Sequence, residues 1–140
     1  MTIIERVLLF QNIELFKDVT TEQLSFIAAI AEEISVDAGA LLYRENDPPD
    51  GLYVVVSGLV TAGRKQDAID WIGPNGSFGV WALFDDQPRL TKAEAAEASR
   101  LLFVHRDEFY DVMAYHVEIA QAIFKQLVHR LRRLSAIAEK

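Results

Sequence analysis

The chain contains no cysteine among its 140 residues. That excludes a disulfide framework, a thiolate metal site and a cysteine nucleophile. It also lacks any apolar run near the roughly 20 residues needed to span a bilayer, so no membrane partner is expected. Histidine is scarce: His105, His116 and His129 stand alone, none two or four residues from another. A histidine metal site is therefore not expected, and each reads as a surface or helix-end residue. No Ser/His/Asp constellation surrounds Ser57-Gly58 or Ser77-Phe78-Gly79, and Asp85-Asp86 reads as a solvated loop. The sequence thus predicts no catalytic residues, no metal and no enzyme. The opening Met-Thr-Ile-Ile-Glu-Arg has no basic n-region, which points to a cytoplasmic protein.

What is present describes an ordinary globular chain, with 51% hydrophobic and 25% charged residues. The length suits one domain over 1–140. The net charge of −7 is uneven. Residues 125–140 carry five basic side chains against Glu139, a local +4, which leaves −11 on residues 1–124. Cations favour the C-terminal end of a helix dipole. The acidic body argues against a nucleic-acid partner.

Hydrophobic spacing gives a coarse organisation: N-terminal helices over 1–34, strands over 35–105 and C-terminal helices over 106–140. Residues 3–16 read as a helix and a turn. Thr20 with Gln23 fits a capping box opening a second helix, whose buried face carries Leu24, Ile27, Ala28, Ala31 and Ile34. Leu52–Val56 is β-branched and reads as a strand. Asn46–Gly51 and Gly73–Gly76 read as turns, and 63–67 as a hairpin tip. Short strands split by such turns predict a sandwich or barrel rather than βαβ units. Ser99–His105 reads as a buried strand, and Asp107 is expected to cap the helix after it. Beyond a break at Tyr115-His116, Val117, Ala120, Phe124, Leu127, Leu131, Leu134 and Ala138 alternate steps of three and four. This is a heptad seam, expected to pair with a second copy. Ile119, Ile123 and Ile137 lie off the seam and are expected to face the chain's own fold.

Residues 76–92 combine features that suit an anion. A Phe78-Gly79 turn opens a single helical turn, whose first amides have no internal partners. Gly79 permits close approach to the backbone, and Arg89 offers a planar fork for phosphate oxygens.

The ordered set Leu15-Phe16, Gly39, Asp50-Gly51-Leu52-Tyr53-Val54, Gly58, Phe78-Gly79, Ala82-Leu83, Pro88-Arg89 and Leu101–Phe109 resembles the cyclic nucleotide-binding domain family, the catabolite-activator-like sensor module. The resemblance implies a mainly β fold with flanking helices, a double-stranded, jelly-roll-like β-roll of eight strands. It favours a strand over 93–98, against the helix propensity of Ala and Glu. It implies a phosphate-binding cassette at 76–92, with ligand-binding residues Phe78, Gly79, Val80, Trp81, Ala82, Leu83, Pro88, Arg89, Leu90, Thr91 and Lys92. The implied ligand is a cyclic nucleotide, cyclic AMP or cyclic GMP, or a related small phosphate. Occupancy would repack Trp81 and Leu83 and move the final helix. The resemblance also supports a homodimer through Phe124, Leu127, Leu131 and Leu134. Three departures stand out. Val80 replaces the family's usual Glu, which accepts the ribose 2′-hydroxyl. Leu90 and Lys92 stand among positions that usually hold small residues and a Thr or Ser. A degenerate fold that binds no nucleotide and serves as a dimerisation or protein-interaction module is the alternative.

Overall fold

The computed structural model describes residues 1–64 and 67–135. Two compact units emerge, Met1–Ala29 with Asp111–Lys140, and Ile30–Tyr110.

The first unit is helical. Helix α1 (Ile3–Phe10) starts at a Thr2/Glu5 capping box and buries Val7, Leu9 and Phe10. A 3-10 turn, Glu14–Phe16, buries Leu15 and Phe16, and Phe10 meets Phe16 edge-on at 6.3 Å. Helix α2 (Thr21–Ile30) opens with the expected reciprocal box, Gln23 N–H donating to Thr20 Oγ1 and Thr20 N–H to Gln23 Oε1. The helix stops at Ile30, short of the predicted Ile34. From Glu32 the exposure pattern has period two, with Ile34 and Val36 half-buried between exposed Glu33 and Ser35, and this segment is a strand instead. Helix α3 is Arg106–Tyr115 and helix α4 is Val117–Leu134, broken at His116 as the sequence suggests. His116 stacks on Phe26 with ring centroids 3.8 Å apart. Asp107 does not cap α3, because the helix begins one residue before it; Asp107 and Glu108 instead place carboxylates in the first turn.

Helix α4 has two unlike faces. Ile119, Ile123 and Gln126 are buried. On the same side Gln126 donates to Asp18 at 2.6 Å. Arg130 and Arg133 both reach Glu14 at 2.9 Å, and these two cations hold the Glu14 carboxyl down at about 2. The heptad positions Val117, Phe124, Leu131 and Leu134 stand exposed, Phe124 at 69% and Leu131 at 64%. The predicted Ile137 and Ala138 lie outside the described residues.

The second unit is an eight-stranded antiparallel roll of two four-stranded sheets. The strands are β1 (Glu32–Val36), β2 (Leu41–Tyr43), β3 (Gly51–Ser57), β4 (Val60–Arg64), β5 (Asp67–Ile72), β6 (Ser77–Phe78), β7 (Lys92–Ala95) and β8 (Ser99–His105). One sheet runs β1-β8-β3-β6 and the other β2-β7-β4-β5. The core between them gathers Tyr43, Tyr53, Val55, Val60, Phe78, Ala93, Leu101 and Phe103. Tyr53 and Phe78 lie parallel at 5.0 Å, and Phe103 tilts against Tyr53 at 4.5 Å. Burial raises the Tyr53 phenol to about 12, with the nearby Asp50 charge adding to it.

The segment 93–98 is a strand only as far as Ala95. Ala93 and Ala95 are fully or almost fully buried while Glu94 points out, and this alternation overrides helix propensity. Ala96 leaves the ladder to bond Leu59 O. The pairing Arg64↔Asp67 closes β4 onto β5; the middle of the predicted tip, residues 65 and 66, lies outside the described residues. No helix among the described residues is long and apolar enough to cross a membrane.

Candidate functional site

Arg89 is the organising residue. A Pro-Arg pair in a polar loop would ordinarily be solvated, yet Arg89 is 6% exposed. Its backbone explains the placement. Arg89 N–H donates to Asp47 O and Asn46 N–H donates to Arg89 O, both at 2.8 Å. Asn46, at φ 68°, and the prolines 48 and 49 shape that turn. The loop after β2 and the loop before β7 are thereby laced together, and the side chain is directed inward.

Inside, the guanidinium carbon sits 4.0 Å above the Tyr43 ring. Nη2 donates to the Asp50 carboxylate and, at 2.8 Å, to Gly51 O. Nη1 reaches Gly79 O at 3.4 Å. Nε has no hydrogen-bond partner although it is buried. A guanidinium carries five N–H donors, and a buried one left unpaired is costly. The Tyr43 phenol is raised above its ordinary value by burial, opposed by the Arg89 charge and a hydrogen bond with Thr91.

The cassette turn fits against this cation. Gly79 adopts φ 79°, ψ 21°, in the left-handed region, and opens a 3-10 turn over Val80–Leu83. A Cβ at Gly79 would collide with Arg89 Nη1, so glycine is required by both conformation and space. Gly51 is fixed in a similar way, since a Cβ there would strike Val104 O and the Phe103 ring. Ala82 and Leu83 are buried, Val80 is half-buried and Trp81 is exposed. Phe78 belongs to the aromatic core. Gly79 and Arg89 therefore come together as the sequence suggests. Pro88 and Leu90 lie exposed beside them, and Lys92 pairs with Glu94 at 3.4 Å.

Two features tie the cassette to the start of α3. Phe84 meets Phe109 edge-on at 5.8 Å. Asp86 forms an ion pair with Arg106, which also donates to Tyr110 Oη at 3.2 Å. Asp86 is nonetheless the solvated loop residue that the sequence suggests, its side chain 89% exposed beside its ion pair. His105 pairs with Glu32 at 2.8 Å.

Among the described residues, clefts open on this unit. One, of about 470 Å³, is lined by Gly39, Leu41, Arg44, Glu45, Lys92 and Glu94. A second, of about 560 Å³, is lined by Pro49, Asp50, His105, Arg106, Asp107, Glu108 and Tyr110. Asp50 joins the second cleft to Arg89. Sequence reasoning missed Tyr43 and Asp50 as site residues. Asp50 stands 39 residues before Arg89 in the chain, and only the lacing of the two loops makes them neighbours. Among the described residues no group of three or more His, Asp or Glu side chains suits a metal ion.

The sequence pattern of the cyclic nucleotide-binding domain matches residues 33–116. The chain is 30% identical over 124 residues to a CRP-like cAMP-activated global transcriptional regulator of Mycobacterium tuberculosis, a match covering 85% of this chain and 55% of that protein. The chain thus spans about half the length of this relative. Among solved structures, the N-terminal domain of a transcriptional regulator from Streptomyces coelicolor A3(2) superposes with a TM-score of 0.84 at 27% identity, covering 93% of this chain and 94% of that one. A cyclic nucleotide-binding-like protein from Brucella abortus superposes with a TM-score of 0.71 at 29% identity, covering 79% and 98%. With this family pattern over residues 33–116 and the eight-stranded roll that the sequence resemblance implied, the chain belongs to the cyclic nucleotide-binding domain family.

Proposed function

We propose that this domain is a non-enzymatic sensor that binds a cyclic nucleotide through Arg89 and the cassette 78–83, and signals through α3 and α4. The observation that carries the reading is the buried guanidinium of Arg89 with an unpartnered Nε. A cation so placed in a roll interior calls for a further acceptor, and a phosphate oxygen is a good one. The Mycobacterium tuberculosis relative is described as cAMP-activated, so cyclic AMP is the first ligand to test. Signalling follows from the Phe84–Phe109 and Asp86–Arg106 contacts. A ligand that draws the cassette turn around itself pulls on the first turn of α3. The shift is limited to the ligand's differential affinity for the two arrangements.

Calorimetric titration with cyclic AMP and cyclic GMP tests this reading. We expect saturable binding by the wild type and its loss, by about a hundredfold or more, in Arg89→Ala. No heat at millimolar nucleotide contradicts it.

A second reading has its own support. Asp50 already neutralises Arg89, Lys92 is engaged by Glu94, and Val80 offers no acceptor to a ribose hydroxyl. In that reading the fold persists as a dimerisation module. Both readings share a homodimer through the seam of Phe124, Leu127, Leu131 and Leu134, of which Leu127 is half-buried and the other three are exposed. That seam is apolar, in heptad phase, and opposite the face carrying Ile119, Ile123 and Gln126. Sedimentation in the presence and absence of cyclic AMP separates the readings. A dimer indifferent to nucleotide favours the module.

A further inference from the structure

Arg89 does not wait empty for its ligand. Its Nη2 is held by the Asp50 carboxylate, whose side chain is 50% exposed while that of Arg89 is 5% exposed. Asp50 therefore has one side on the buried cation and the other on the 560 Å³ cleft. That cleft carries two more carboxylates, Asp107 and Glu108. Its cation Arg106 is already engaged by Asp86, and the His105 ring by Glu32. Approach to Arg89 from this side meets negative charge, and Arg89 with Asp50 is neutral before a ligand arrives.

We propose that Asp50 is a charge filter, which admits monoanionic phosphodiesters to Arg89 and rejects dianionic phosphomonoesters. The filter rests on Arg89 being the anion donor, as proposed above. The free donor, Nε, lies on the same guanidinium as the Asp50 contact, so a phosphate seated on Nε has the Asp50 carboxylate as a near neighbour. One Arg–Asp pair tolerates a single added negative charge better than two, because the repulsion from Asp50 scales with ligand charge. Between half-exposed charges a few ångströms apart, one extra unit of ligand charge is worth about tenfold in affinity. A cyclic diester keeps one charge, whereas a monoester such as 5′-AMP approaches two above its second pKa of about 6. The two ligands share base, ribose and phosphorus, so the filter separates a cyclic signal from its hydrolysis product by charge.

The test is titration of the wild type, Asp50→Asn and Asp50→Glu with cyclic AMP and 5′-AMP at about pH 7.5, where the monoester is mostly dianionic, in low salt. Asparagine Oδ1 can still accept from Arg89 Nη2, so the substitution removes charge and keeps the hydrogen bond. We expect Asp50→Asn to gain about tenfold more affinity for 5′-AMP than for cyclic AMP. Asp50→Glu should keep the wild-type ratio, and added salt should shrink the difference. Asp50→Ser, smaller and also uncharged, reads the same ratio if the asparagine variant does not fold. An unchanged ratio in the uncharged variants, with wild-type binding that still requires Arg89, overturns the filter and leaves Arg89 as the anion donor. Weaker binding of both ligands by the uncharged variants does the same, and makes Asp50 a positioning residue. Absence of binding by every variant overturns the filter and the sensor reading together.

Discussion

Arg89 carries a permanent charge into the interior of a β-roll, and nearly every feature around it follows from that. The Tyr43 face, the Asp50 carboxylate and the carbonyls of Gly51 and Gly79 answer three sides of the guanidinium. Gly79 is the tightest constraint. Gly79→Ala introduces a Cβ at positive φ against Arg89 Nη1, and should cost about 1–3 kcal/mol of stability. Chemical denaturation should show that loss, together with weaker nucleotide binding. Val80 tests the ribose. Glutamate there supplies the missing acceptor, and Val80→Glu should tighten cyclic AMP by about tenfold to a hundredfold. Unchanged affinity by calorimetry would place the ribose away from residue 80. At this scale Gly79 and Arg89 were legible, because a glycine turn followed by a Pro-Arg pair is a local pattern. Tyr43 and Asp50 were not, because strand pairing and loop lacing bring them in from distant parts of the chain.

At the scale of elements, the β-branched run 52–56 and the turns at 46–51 and 73–76 read directly as structure. The end of α2 did not. Ala31 and Ile34 fit the helical face, but Ile34 and Val36 also fit a strand, and sheet pairing with β8 decides for the strand. The segment 96–98 gives no residue-level signal for the end of β7, which stops where backbone groups turn to other partners. Helix α4 was read most fully: the split between Ile119/Ile123 and the heptad seam is what the spacing implied. Its attachment to Glu14 has a pH signature. Arg130 and Arg133 lower the Glu14 carboxyl from 4.5 to about 2. A carboxyl depressed on folding contributes stability above its unfolded value and loses it as pH falls through the folded one. Acid titration of wild-type stability should therefore steepen between the two values, and Glu14→Gln should remove that component. An identical acid profile in the variant would mean that these contacts do not contribute.

For the whole molecule, the charge division matters most. A body of −11 disfavours any anion except where a local cation is held for it, so the proposed nucleotide binding rests on Arg89 and the cassette around it. The exposed seam of α4 gives the second molecular-scale expectation. Phe124→Asp with Leu131→Asp alters only exposed positions. It should halve the sedimenting mass with little change in the monomer's melting. An unaltered mass would exclude the seam as an interface. The central claim is that Arg89 holds the phosphate of a cyclic nucleotide inside the roll, and a crystal structure with cyclic AMP tests it most directly. The account predicts a phosphate oxygen within hydrogen-bond distance of Arg89 Nε, with the cassette turn 79–83 against the nucleotide. Nucleotide seated instead in the cleft of Arg44 and Lys92, or absent from the crystal at saturating concentration, would contradict it.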